Sequence, residues 1–164
     1  MLIDIIAGAR PNFMKIAPII REINKVKTSC NVNYRLIHTG QHYDKNMSDA
    51  FFVELNIPTP DVNFNAGGGT QAEQAASIMI AYERTLVEKK SDLCLVVGDV
   101  NSTFACAITA QKMGVKVAHV EAGIRSGDWS MPEEINRLVT DSIANFYFTT
   151  TTNASENLIK SGVS

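Results

Sequence analysis

The stretch Leu93–Val97 reads LCLVV and is apolar at every position, which no strand with one wet face can be. Such a strand is covered on both sides, the environment of a parallel sheet with helices on each face. Further strand-like runs at Leu2–Ala7, Tyr34–His38, Val115–Val120 and Phe146–Thr149 alternate with stretches of helical periodicity. That alternation, joined by right-handed crossovers, predicts an α/β chain with a doubly wound, Rossmann-like parallel sheet. In such a sheet ligands sit beyond the carboxyl ends of the strands.

Local signals place the helices. Pro11 suits a helix entrance, and Met14, Ile16, Ile19, Ile20 and Ile23 carry that helix to Lys27, with an end before Asn31. A helix is expected through Met47, Phe51, Phe52 and Leu55, closed by Pro58 and Pro60, with Val62 and Phe64 in a short third strand. Thr70 and Glu73 form a capping box for a long helix to Lys90, whose apolar stripe is Ala75, Ile78, Met79, Tyr82 and Leu86. Asn101 or Ser102 is expected to cap the next helix, which stops at Gly114. Ser130 and Glu133 repeat the capping-box pattern where a helix opens at Pro132, and a last helix covers Ala154 to Lys160.

A chain of 164 residues is the size of one domain. Its net charge of -2, without a Lys/Arg block, excludes the electrostatic footprint of a nucleic-acid or membrane-surface binder. The first twenty residues carry Asp4, Arg10 and Lys15 and read as strand and helix, not as a signal peptide, so a cytoplasmic location is expected. Cys30, Cys94 and Cys106 are odd in number and widely spaced among apolar neighbours, as buried free thiols would be. Gly8-Ala9-Arg10 is not G-x-G-x-x-G and no G-K-[ST] loop occurs, which argues against NAD and ATP. His38 and His42 stand four apart in a strand-to-loop context without a second ligand pair, so no metal is expected; Gln41 and His42 read as hydrogen-bonding groups for a ligand.

The segment VKVAHVEAGIRSGDWSMPEEINR, Val115 to Arg137, crowds Glu121, Arg125, Asp128, Glu133 and Arg137 at the end of a strand. Asp99 follows another strand, and Arg10 with Lys15 stands where free helix N–H groups favour a phosphate or diphosphate. Each has a plainer explanation: an Asx turn for Asp99, a cap for Glu133, solvated cations for Arg10 and Lys15, a satisfied core histidine for His119. Glu121 has the weakest such explanation, because a carboxylate continuing a buried strand is costly unless it works or is paired, Arg125 and Arg137 being the partners at hand. Together, carboxylates and cations at one sheet edge suit chemistry on a sugar nucleotide. Cations stabilise a departing diphosphate, while carboxylates move protons or support positive charge on the ring.

Five blocks, Gly8-Ala9-Arg10-Pro11-Asn12 with Lys15 and Pro18, Thr39-Gly40-Gln41-His42-Tyr43, Gly98-Asp99-Val100-Asn101-Ser102-Thr103, His119-Val120-Glu121-Ala122-Gly123-Ile124-Arg125-Ser126-Gly127-Asp128 and Pro132-Glu133-Glu134-Ile135-Asn136-Arg137, run in that order. In these the chain resembles the non-hydrolysing UDP-N-acetylglucosamine 2-epimerases over essentially its whole length; Pro11-Asn12 and the His119 to Ser126 block distinguish that branch from the hydrolysing one. The resemblance implies the N-terminal half of a glycosyltransferase-B fold and interconversion of UDP-N-acetylglucosamine and UDP-N-acetylmannosamine, with no cofactor. UDP is eliminated with the C2 proton to give a 2-acetamidoglucal, then added back with the proton delivered to the other face. Matched by position, Asp99, Glu121 and Glu133 are the catalytic carboxylates, and Arg10, Lys15, Gln41, His42, Arg125 and Arg137 bind substrate.

The family continues for another domain, carrying a further catalytic histidine and most of the uridine and diphosphate contacts. The resemblance therefore implies a chain that folds independently and has little or no epimerase activity until that half is supplied, in the split case by a separate polypeptide. A homodimer with a UDP-sugar substrate is the expected assembly. The region from Asn65 to Gln71 lacks the basic residue some bacterial members use for allosteric substrate binding, which speaks against allosteric control. The competing readings are a non-catalytic or vestigial module of the same fold and the acceptor domain of a glycosyltransferase, which would have no reason to keep the Glu121 to Arg137 block.

Overall fold

The computed structural model describes residues 1–40, 52 and 55–163. Strands β1 (Leu2–Ala7), β2 (Asn33–His38), β3 (Val62–Asn63), β4 (Leu93–Val97), β5 (Lys116–Val120) and β6 (Phe146–Phe148) form one sheet in the order β3-β2-β1-β4-β5-β6. Every pairing is parallel. Between them lie α1 (Arg10–Cys30), α2 (Gln71–Glu88), α3 (Asn101–Lys112) and α4 (Pro132–Ile143), with α5 (Thr152–Lys160) last. Met47 and Phe51, on which the expected second helix rests, lie outside the described residues, whereas Phe52 is buried in the core. No helix among the described residues is long and apolar enough to cross a membrane.

Strand alternation divides the core in two. Ile5, Leu36 and Leu95 face α1 through Phe13, Ile16 and Ile20. Ile6, Ile37, Cys94 and Val96 face the other way, onto Ile78 and Tyr82 of α2 and the small residues Ala105, Cys106 and Ala110 of α3. This explains why LCLVV shows no polar position. Cys94 and Cys106 are buried as expected, but Cys30, in the last turn of α1, is exposed.

Asp4 interrupts the apolar run of β1 and is wholly buried. Its two oxygens accept from Arg35 Nε at 2.7 Å and Nη2 at 2.8 Å, and the Tyr82 hydroxyl donates to it at 3.0 Å. A buried carboxylate is tolerable on those terms.

The strand order reverses direction between β1 and β4, which makes their carboxyl ends the place for a ligand. Asn12 holds that junction closed: its Oδ1 accepts from the N–H groups of Gly8 (3.2 Å) and Ala9 (2.9 Å), while its Nδ2 donates to the Val97 carbonyl at 3.1 Å. Gly8 is required by close approach, since a Cβ there would fall on the Ser102 hydroxyl.

Two expected caps do not form. The N-cap position of α3 falls to Val100, with no side-chain cap. Asn101 is instead drawn sideways, donating to Gln71 Oε1 at 2.5 Å and Gln74 Oε1 at 2.6 Å and so tying α3 to α2. The N-cap of α4 is Met131, also without a side-chain cap, because the Ser130 hydroxyl donates to Asp128 Oδ1 at 2.6 Å. The Thr70–Glu73 box forms in full.

Candidate active site

At the end of β4 the chain turns at Gly98, whose φ of +70° favours glycine. The Gly98 N–H donates to the Val120 carbonyl at 3.0 Å, and His119 Nε2 donates to the Gly98 carbonyl at 2.8 Å, so the turn is fastened to β5 from both sides. A Cβ on Gly98 would lie 3.4 Å from Glu121 Oε2 and 3.7 Å from Lys15 Nζ; the bare α-carbon is the wall against which those side chains rest.

Glu121 leaves β5 with φ +69°, an uncommon backbone state for a residue other than glycine and one that concentrates at functional sites. That turn ends the two-residue alternation that would have put it on the face of His119. Its partner is neither Arg125 nor Arg137 but Lys15 of α1, with Nζ 2.5 Å from Oε2 and side chains 37% and 22% exposed. The pair spans the gap between the two halves of the sheet and stays open to a ligand.

Asp99 Oδ2 accepts from Arg137 Nη2 at 2.5 Å and Nε at 2.9 Å, in place of an Asx turn. Arg137 also donates through Nη1 to Glu134 Oε2 at 2.7 Å. Glu134, which sequence reasoning left aside in favour of its neighbour, is almost wholly buried and accepts from the N–H groups of Ser126 (2.9 Å) and Gly127 (3.1 Å) and the Ser126 hydroxyl (3.0 Å). It thus gathers the Ser126–Gly127 loop and Arg137 around one carboxylate. Glu133 is half-buried, and among the described residues its carboxylate makes no hydrogen bond or ion pair.

The structure brings Lys15, Asp99, Glu121 and Arg137 to the ends of β1, β4 and β5. Arg10 begins α1 at the same edge and is exposed. Arg125 is engaged elsewhere, donating to Asp141 Oδ2 at 2.6 Å and to the Ile124 carbonyl at 2.8 Å. Gln41 and His42 lie outside the described residues. No cluster of three or more His, Cys, Asp or Glu side chains among the described residues is placed to hold a metal ion.

Residues 24–164 match the profile of the family described as UDP-N-acetylglucosamine 2-epimerase. The chain belongs to that family. The UDP-N-acetylglucosamine 2-epimerase of Methanocaldococcus jannaschii is 45% identical over 163 residues, covering 99% of this chain and 43% of its own length. A UDP-2,3-diacetamido-2,3-dideoxy-D-glucuronate 2-epimerase of Pseudomonas aeruginosa is 41% identical, covering 99% of this chain and 45% of its own. A crystal structure of the Methanocaldococcus jannaschii UDP-GlcNAc 2-epimerase, in complex with UDP-GlcNAc and UDP, superposes with a TM-score of 0.94 over 100% of this chain and 44% of that one. The chain spans under half the length of these epimerases, and its six-stranded Rossmann-like sheet is consistent with one half of a glycosyltransferase-B architecture.

Within this epimerase-family chain Glu134 carries an acid-stability prediction. Burial pushes its carboxyl up, but the Ser126 N–H, the Arg137 guanidinium, the Gly127 N–H and the Ser126 hydroxyl outweigh burial and bring it down to about 2. A depressed carboxylate contributes stability that is complete above its unfolded value of 4.5 and lost as pH falls towards 2. Urea unfolding at pH 7 and near pH 3 is expected to show that loss in the native chain and to show it reduced by about 2 kcal/mol in Glu134→Gln. An unaltered pH slope in the variant would remove Glu134 as its source.

Proposed function

We infer that this chain is the carboxylate-bearing half of an enzyme that epimerises UDP-N-acetylglucosamine at C2, giving UDP-N-acetylmannosamine. The observation that carries the reading is the juxtaposition of Asp99 and Glu121, each held by a cation, at the reversal point of the sheet. Glu133 stands half-buried in the first turn of the neighbouring helix α4. The C2 hydrogen has no adjacent carbonyl to acidify it, so departure of a stabilised diphosphate and proton removal by a carboxylate share the barrier. A diphosphate binding Lys15 or Arg137 competes with Glu121 or Asp99 for the cation and frees that carboxylate to take or give a proton. The missing contacts to UDP come from a C-terminal half, without which the chain has little or no turnover. The reading includes a homodimer in the cytosol.

The test is proton NMR of UDP-N-acetylglucosamine in D2O with this chain, alone and with the C-terminal half of a related epimerase. Deuterium at C2 and a UDP-N-acetylmannosamine signal are expected only with the added half. No exchange in either case, with an intact epimerase active in parallel, overturns the proposal. The 2,3-diacetamido glucuronate nucleotide serves as second substrate; exchange with it alone would reassign the sugar.

A further inference from the structure

We propose that His119 is held as a cation, protonated on both ring nitrogens, and is the positioning residue that fastens the Asp99-bearing turn to the Gly123 loop through Asp141. Only the catalytic meaning of those loops rests on the epimerase reading.

The ring is completely buried, which keeps it from touching substrate. Nε2 lies 2.8 Å from the Gly98 carbonyl oxygen, and a carbonyl only accepts, so Nε2 carries a proton. Nδ1 lies 2.6 Å from Asp141 Oδ1. The other oxygen of Asp141 accepts from Arg125 Nη1 at 2.6 Å and from the Gly123 N–H at 3.0 Å. A guanidinium and a main-chain N–H on that one oxygen favour the ionised carboxylate, whatever the state of His119. An ionised carboxylate accepts only, so Nδ1 must donate as well. The Tyr147 hydroxyl donates to the main-chain carbonyls of Asp141 and Ala144 and leaves this count unchanged.

One buried cation thus meets two obligate acceptors. Gly98 immediately precedes Asp99, and Gly123 stands two residues beyond Glu121, so the His119–Asp141 pair sets the spacing of both carboxylate-bearing loops. A neutral imidazole would turn a bare nitrogen towards an acceptor in a dry interior and give up one of the two fastenings. The same geometry gives Arg125 a task other than substrate contact, as second counter-ion to Asp141.

The test is ring-nitrogen NMR on the 164-residue chain labelled with ¹⁵N-histidine, at a pH of about 7.5, above the ordinary histidine value. The chain has three histidines, and His119→Gln identifies the signal. Two protonated ring nitrogens with slowly exchanging protons are expected. In Asp141→Asn, which keeps the shape and removes the charge, the ring is expected to lose one proton, and the amide signals of Gly98, Asp99 and Gly123 to shift. A bare ring nitrogen in the native chain overturns the proposal, as does an Asp141→Asn chain with both ring protons retained or those amide signals unmoved. Should that variant not fold, the native spectrum decides alone. Nothing in the measurement requires turnover, so it can fail or succeed independently of the epimerase reading.

Discussion

Replacing Glu121 by glutamine, in the enzyme completed by a C-terminal half, is expected to lower turnover about 10²–10⁴-fold, the range for loss of a positioned acid or base. Stability should hardly change. The carboxylate is partly exposed, and a pair of that kind contributes about 0–1 kcal/mol. Glutamine also keeps an oxygen for Lys15 and the volume beside Gly98. For a chain of this size 1 kcal/mol moves the melting temperature by roughly 2–4 °C, so calorimetry should find the variant within that interval of the native protein. Turnover and C2 exchange measured on the same preparation decide the matter: activity retained with a large fall in Tm would make Glu121 a structural residue.

Asp4→Ala has the opposite profile. It strips Arg35 and the Tyr82 hydroxyl of a fully buried common acceptor and leaves a void. Removing one member of a buried ionic group costs about 3–5 kcal/mol, which lowers the melting temperature by roughly 6–20 °C. Because Asp4 lies away from the carboxyl ends of the strands, exchange per folded molecule should stay at the native level. Urea unfolding measures the loss. A change below about 1 kcal/mol would show that water reaches Arg35 and Tyr82 and replaces the carboxylate.

Strand positions were legible because complete burial removes polar residues from β4 and leaves a period that only a parallel interior allows. Capping was legible only where nothing competed. Thr70 and Glu73 met no rival and formed their box; Ser130 found Asp128 two residues away, and the same four-residue pattern failed. Glu121 was recognisable from its place after a strand, but its partner was not, since Lys15 is 106 residues away in sequence. Glu134 and Asp141 were hidden for another reason: on a helix a buried polar residue resembles a solvated one. One signal was present. Glu134, Arg137 and Asp141 follow a three-then-four spacing on α4, the period of an inward face, where charged groups imply a paired interior network.

The strand order has a consequence for how the chain comes together. β1, α1, β2 and β3 can assemble from the first 63 residues, whereas the other neighbour of β1 is β4, with Ile3 in register with Leu93. Until β4 arrives, the second edge of β1 is an unpaired apolar strand, the kind of edge through which nascent chains associate wrongly. Lys15 belongs to the early wing and Glu121 to the late one. The ion pair between them joins the wings across that late seam, and any opening along β1 and β4 separates carboxylate from cation.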